Sequence, residues 1–297
     1  MQEIQLHLIT TDKIQLPGAA VKNIDVYMLR LDKIHPLISG NKWFKLRFYL
    51  DEAIRQKKKK IVTFGGAWSN HIIATAAACQ LHNLQCIGII RGEQPAKLCD
   101  ILKKAGELGM QLIFISRNDY SKGNIPPEIT SDDNLIIPAG GYGETGKKGA
   151  ATILDNCRDK NRFTHICCAV GTGTMMAGLS VAASSSQKII GISVLKNNFQ
   201  LEQDVKLLAG NEGNVLSILH DYHFGGYAKS TPELFSFMNN WYRQTQIPID
   251  FVYTGKLCYA VTDLANNNYF PAGSRILIIH SGGLTGNSSL KKGTLIF

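Results

Sequence analysis

Seven short apolar runs recur along the chain: Ile61–Phe64, Cys86–Ile90, Leu112–Ile115, Ile166–Val170, Ile189–Val194, Phe251–Tyr253 and Ile276–Ile279. Stretches of helical character separate most of them, among them Ser69 to His82 and Pro95 to Leu108. A run apolar at nearly every position buries both faces of a strand, which is the signature of a parallel sheet with helices above and below. The pattern predicts an α/β fold of two domains, each a mostly parallel sheet covered by helices. The runs group at about 61–140 and 165–280. We therefore expect a smaller inserted α/β domain over 46–149, and a large domain made of 1–45 plus 150–297. The stretch from Ser116 to Asn134 is rich in Asp, Asn, Ser, Gly and Pro and reads as a surface connection.

Composition narrows the class. Hydrophobic residues at 44% against 19% charged exclude a disordered chain. No apolar run is long enough to span a bilayer, and Met1 to Leu6 lacks the basic-then-apolar order of a secretory leader. The seven cysteines are Cys79, Cys86, Cys99, Cys157, Cys167, Cys168 and Cys258, irregularly spaced and mostly in apolar stretches. Free thiols in a reducing cytoplasm fit that usage. No paired CxxC set and no HExxH is present, so no metal site is expected. Thirty-two Lys and Arg against 23 Asp and Glu give a net charge of +9, which favours anionic ligands without naming one. The run Lys57–Lys60 has no interleaved aromatics and reads as a solvated helix end rather than a nucleic-acid patch.

Five local motifs carry chemistry. The turn Gly171-Thr172-Gly173-Thr174 follows an apolar run and opens a helix. Free N–H groups at a helix start, backed by the dipole, form a phosphate cradle, and two threonine hydroxyls add donors. It is neither GxxxxGK[ST] nor GxGxxG, and a tight turn without a ligand is the other reading. Ser39-Gly40-Asn41-Lys42 puts a lysine at a turn into a helix. Alone it is a surface lysine; beside a phosphate cradle it could form a Schiff base with a phosphorylated aldehyde. Phe64-Gly65-Gly66-Ala67-Trp68-Ser69-Asn70-His71 is a third strand-to-helix turn, suited to a small carboxylate or to plain capping by Ser69 or Asn70. Tyr253-Thr254-Gly255-Lys256 and His280-Ser281-Gly282-Gly283 each follow an apolar run, where α/β sheets bind ligands. Gly225-Gly226-Tyr227 adds a tyrosine that alone would be packing.

Taken together, in this order, from about Leu31 to Gly283, the motifs resemble the ACC (1-aminocyclopropane-1-carboxylate) deaminase / D-cysteine desulfhydrase family of pyridoxal-phosphate enzymes, of the tryptophan synthase β-like fold, fold type II. The resemblance implies pyridoxal 5'-phosphate as cofactor, joined to Lys42, which also moves the substrate's α-proton. It implies that Asn70 bonds the cofactor's phenolic oxygen. Gly171, Thr172, Gly173 and Thr174 form its phosphate cup, and Ser281 faces the pyridine nitrogen. Ser69, Asn70 and His71, with Trp68 beside them, line the substrate-carboxylate pocket. Ser69, Tyr227 and Tyr253 complete the catalytic set. Trp68 stands where members often carry Gln, and Thr254 where ACC deaminases carry Glu against the pyridine nitrogen.

A carboxylate there keeps the nitrogen protonated and the ring a strong electron sink; neutral hydroxyls do so less. A weaker sink suits β-elimination better than cyclopropane opening. The expected activity is therefore a lyase that eliminates from a small amino acid, D-cysteine in the type case, giving 2-oxo acid, ammonia and sulfide. The alternatives are ACC deaminase or another amino-acid deaminase and, in a different class, a protein that binds the cofactor without turnover. The resemblance further implies a homodimer. Nucleic acid and membrane are not expected partners.

Overall fold

The computed structural model describes residues 3–16, 19, 22–210, 214 and 216–297. Among the described residues, ten strands form two sheets. The first half of the chain gives β1 (Thr11–Ile14), β2 (Asp25–Arg30), β3 (Lys60–Gly65), β4 (Gln85–Arg91), β5 (Met110–Ile115) and β6 (Asn134–Ile137). The second half gives β7 (His165–Val170), β8 (Lys188–Ser193), β9 (Leu216–Leu219) and β10 (Arg275–His280). The larger sheet runs β1-β2-β10-β7-β8-β9 and the smaller β5-β4-β3-β6. Every pairing is parallel except β1 with β2. The mixed α/β fold with helix-covered, mostly parallel sheets is thus the one expected.

Burial on both faces explains why the central strands are apolar at nearly every position. Along β10, Ile276 and Ile278 enter one core cluster, while Leu277 and Ile279 enter the cluster on the opposite face. Helices α8 (Pro232–Thr245) and α9 (Thr254–Asn266) cover the first face through Leu234, Met238, Leu257 and Val261. The helices α5 (Glu144–Ala151), α6 (Thr174–Ala182) and α7 (Leu201–Ala209) cover the second. The small sheet packs against α1 (Asn41–Arg55), α2 (Asn70–Leu81) and α3 (Asp100–Glu107). The expected boundaries at 45/46 and 149/150 fall inside α1 and α5.

Three expectations need correction. Phe251–Tyr253 is not a strand but a turn leading into α9. The buried Asp250 carboxylate takes the N–H groups of Val252, Tyr253 and Thr254 at 2.8–2.9 Å, donors that a ladder would have needed. Pro95 does not start a helix; α3 begins at Asp100. The connection from Ser116 to Asn134 holds a short helix, α4 (Arg117–Lys122), capped by the Ser116 hydroxyl. Within the basic run, Lys59 pairs with Asp133 at 2.6 Å and Lys58 reaches the Asp132 carbonyl. All seven cysteines are free. Among the described residues no helix is long and apolar enough to cross a membrane.

α5 is wedged between α1 and α6 by glycines. A Cβ on Gly149 would stand 1.8 Å from the Phe44 carbonyl, whereas one on Gly106, in α3, would meet nothing within 4 Å. Gly149→Ala should therefore destabilise the fold by about 3 kcal/mol through overpacking against backbone. Gly106→Ala should stabilise it by about 0.5–1 kcal/mol through helix propensity alone. Opposite signs in thermal unfolding of the two variants are the check.

Candidate active site

Three loops meet backbone to backbone. Gly40 has φ 63, and a Cβ there would lie 1.9 Å from the Ser281 carbonyl oxygen, which accepts the Asn41 N–H at 3.1 Å. Gly283 has φ 83, and its Cβ would lie 2.6 Å from the Asn70 amide nitrogen. Asn70 is held at both ends. Its Nδ2 donates to the Gly283 carbonyl at 3.0 Å, and its Oδ1 accepts from Thr285 Oγ1 at 2.6 Å. Ser39, Lys42, Asn70, Gly283 and Thr285 line one cleft as a result. The Ser281 hydroxyl, nearly buried at the end of β10, is engaged by no other side chain or carbonyl among the described residues.

Lys42, in the first turn of α1, donates from Nζ to Asn41 Oδ1 at 2.8 Å and sits 5.7 Å from the Tyr253 ring centroid. Desolvation pushes its amine down to about 8, against a smaller opposing pull from Asp250. The same Tyr253 ring lies 3.3 Å from where a Gly171 Cβ would be. The lysine and the glycine–threonine turn therefore both lie close to one aromatic ring. Tyr253 Oη donates to Tyr227 Oη at 3.4 Å. Burial, then Tyr227 and Asp250, hold the Tyr253 hydroxyl well above the ordinary tyrosine range, so it keeps its proton at neutral pH.

The glycine–threonine turn lies beside a buried cluster of basic side chains. Thr172 and Thr174 hydroxyls are 3.1 Å apart at the start of α6, after Gly173 at φ 80. A Cβ on Gly140 would lie 3.0 Å from Thr172 Cγ2, and one on Gly141 would meet Lys45 Cβ at 3.2 Å and His71 Cε1 at 3.7 Å. Lys45 is buried at 4% exposure, and no hydrogen-bond or ion-pair partner meets its amine among the described residues. Burial, and then the Lys42 charge, push that amine well below the ordinary lysine range. His71 lies with it. Thr63 Oγ1 donates its proton to the Ile137 carbonyl at 2.9 Å, so the His71 Nε2–H donates to Thr63 at 2.8 Å. That leaves Nδ1 as an unpartnered lone pair in the neutral ring. Burial first, then Lys45 and Lys42, hold His71 well below its usual pKa, so the ring is neutral.

Ser69, Asn70 and His71 point to different partners. The Ser69 oxygen caps α2, accepting from the His71 and Ile72 N–H groups at 3.2 and 3.4 Å. Asn70 faces the Lys42 cleft, and His71 turns inward to Thr63. Trp68 is exposed on the preceding turn. The Thr254 hydroxyl is taken up by Asp250, donating to its Oδ1 and accepting from its N–H, both at 2.7 Å. Sequence reading missed Lys45, Asp250 and the Gly140–Gly141 loop. Lys45 was within reach, one helical turn from Lys42; Asp250 carries no motif of its own.

The chain is also similar to known proteins. A family model described as pyridoxal-phosphate dependent enzyme matches residues 4–282. A Pyrococcus abyssi protein assigned provisionally as a 1-aminocyclopropane-1-carboxylate deaminase is 29% identical over 286 residues, covering 89% of this chain and 86% of the relative. An Arabidopsis thaliana protein is named a bifunctional, mitochondrial D-cysteine desulfhydrase/1-aminocyclopropane-1-carboxylate deaminase. It is 28% identical, covering 91% of this chain and 75% of the relative. The crystal structure of an ACC deaminase homologue superposes with a TM-score of 0.80 at 26% identity, covering 97% of this chain and 91% of that one.

The lowered lysine has a measurable consequence. A neutral amine is the nucleophile toward an aldehyde. Trapping of a small aldehyde on residue 42 by borohydride, followed by mass spectrometry, should rise with pH through a midpoint near 8. A midpoint near the ordinary 10.5 contradicts the desolvated site.

Proposed function

We propose an α,β-eliminating lyase: the chain belongs to the pyridoxal-phosphate-dependent enzyme family, and its site suits release of a leaving group from the β-carbon of a small amino acid. D-Cysteine is the type substrate, giving 2-oxo acid, ammonia and sulfide. The observation that carries the reading is the convergence on Tyr253 of a desolvated lysine amine and a Gly-Thr-Gly-Thr helix start.

The residues present fit the cofactor. The Lys45 amine, buried without an anionic partner next to the Gly140–Gly141 loop and the α6 turn, is an unmatched donor whose protonated form a phosphate dianion would stabilise. Thr172, Thr174 and the first N–H groups of α6 would hold the phosphate with it. Asn70 and Ser281 would meet the ring's polar atoms. Bound at Lys42, pyridoxal phosphate supplies an electron-poor ring that stabilises negative charge at the substrate's α-carbon. The chain's own residues do the rest. Lys42 Nζ, neutral near pH 8, takes the α-proton. Ser69 keeps its hydroxyl hydrogen free to donate to a substrate carboxylate, because its oxygen only accepts from α2. In the hydroxyl pair Tyr253 donates to Tyr227, which leaves the Tyr227 proton free to go to the leaving group. The released enamine takes up water to give the 2-oxo acid and ammonia.

Relatives named ACC deaminase favour a second reading, opening of the cyclopropane amino acid. Against it stands the polar partner available to the ring nitrogen, a serine hydroxyl rather than a carboxylate, with Thr254 committed to Asp250. The cytoplasm and a homodimeric assembly belong to the same proposal. Seven unpaired thiols support the first, and the family resemblance alone supports the second.

Two outcomes test the reaction. The purified protein with cofactor should release 2-oxo acid and ammonia from D-cysteine or 3-chloro-D-alanine faster than from ACC; the reverse order transfers the assignment to the deaminase. Lys42→Ala should cost on the order of 10³-fold or more in turnover. It should also leave no borohydride-fixed cofactor on the chain.

A further inference from the structure

Lys256, the last residue of the Tyr-Thr-Gly-Lys motif, has no part in the reaction just described, yet it is among the most completely buried side chains in the molecule, at 0% exposure. It projects from the first turn of α9, and its Nζ donates to two backbone carbonyls, His223 and Gly226, each at 2.8 Å. Those carbonyls belong to the loop that carries Tyr227.

The loop's own bonds are few and use the same carbonyls: the Gly226 N–H donates to His223 and the Lys229 N–H to Gly226, the Gly225 N–H donates to His223 Nδ1, and Phe224 packs edge to face on Tyr259. Phe224, Gly225, Gly226 and Ala228 have φ of 49, 93, 117 and 53, so four of five consecutive residues are left-handed, two of them with a Cβ. Such backbone persists only where surrounding contacts over-determine it. Tyr227 itself is 51% exposed, so packing does not fix its ring. Its recorded polar contact is the hydroxyl of Tyr253, at 3.4 Å, with the two rings edge to face at 6.1 Å. Tyr253 in turn is set by Asp250, whose carboxylate gathers the N–H groups at the head of the same helix.

We propose that Lys256 is a positioning residue: by bonding the His223 and Gly226 carbonyls it fixes the Gly225–Tyr227 loop so that the Tyr227 hydroxyl meets that of Tyr253. One helix start then registers both halves of the tyrosine pair, Tyr253 through Asp250 and Tyr227 through Lys256. This deepens the proposed lyase reading, on which the roles of the two tyrosines rest.

The test uses the full chain with and without cofactor. Lys256→Met keeps an unbranched stem and removes every donor. In the cofactor-free protein, amide hydrogen exchange across residues 223–229 should speed up, while the strands of the larger sheet keep their protection. In the holoenzyme kcat should fall about tenfold to a hundredfold with little change in KM, the signature of a displaced catalytic group. The decisive arm is a double-mutant cycle. If Lys256 acts through Tyr227, adding Lys256→Met to Tyr227→Phe costs little more turnover than Tyr227→Phe alone. Unchanged exchange in the loop, or losses that multiply across the cycle, overturns the proposal. Should Lys256→Met not fold, Lys256→Gln, which retains one donor group on a shorter arm, is read by the same exchange and kinetic measurements. If no amino acid is turned over, the lyase reading fails. The exchange arm in the cofactor-free chain still decides the loop.

Discussion

The site depends first on a close approach of backbones: Gly40 against the Ser281 carbonyl, with Gly282 and Gly283 against Ser39 and Asn70. Any side chain at these positions would occupy space already filled by main-chain or buried polar atoms, and all three glycines have positive φ. The contact joins the start of α1 to the end of β10. It also brings the start of α2 into the same cleft. Lys42, Ser281 and Asn70 lie far apart in sequence, and their relative positions follow from this docking rather than from any bond between the three side chains. An arrangement set by backbone is stiff, which is what a site needs if an amine is to reach one atom of a bound ring.

Charge is distributed on the same frame with little waste. Two lysines one helical turn apart on α1 are both desolvated; the Lys42 charge raises the cost of protonating Lys45, and both raise the cost of protonating His71. Left as it stands, such a cluster is unfavourable. An anion between Lys45 and the α6 turn removes the penalty, so the protein is built to be stabilised by what it binds. Asp250, the buried carboxylate nearby, does not serve as that anion. Its oxygens accept three backbone N–H groups and the Thr254 hydroxyl, leaving it a structural cap for α9 whose field is felt by Lys42 and Tyr253.

Much of this was legible in the residues. Six of the seven apolar runs are strands because their composition leaves them no half-exposed alternative. The four strands that went unread, β1, β2, β6 and β9, are short, partly polar or at sheet edges, where composition does not separate strand from loop. Phe251–Tyr253 misled for the opposite reason. Its apolar residues are buried, but one upstream carboxylate captures the backbone donors and converts an extended run into a helix cap. Glycine motifs announced the turns around Lys42, Ser69, Gly171 and Ser281, since glycine is required wherever backbones meet. The anion-facing lysine was not announced: a lysine inside a helix looks solvated until the neighbouring α5 and the Gly140–Gly141 loop are seen to close over it.

The strand end that carries Ser281 is held by a buried ion pair. Arg30 grips Asp32 through two bonds at 2.8 and 2.6 Å and reaches Asp12 at 3.1 Å. β2 is the parallel neighbour of β10, with Arg30 opposite His280. The buried His280 ring donates from Nε2 to the Pro248 carbonyl and accepts the Gly282 N–H at Nδ1, next to Asp32. A one-residue slip of β2 along β10 would part Asp32 from His280 and turn every side chain of the strand to the other face. Burying this pair contributes little net stability, because desolvation offsets most of the attraction. Its effect is on alignment. Only one register satisfies Arg30, Asp32 and His280 together, and that register delivers the Ser281 carbonyl to Gly40 and so sets the distance from β10 to Lys42.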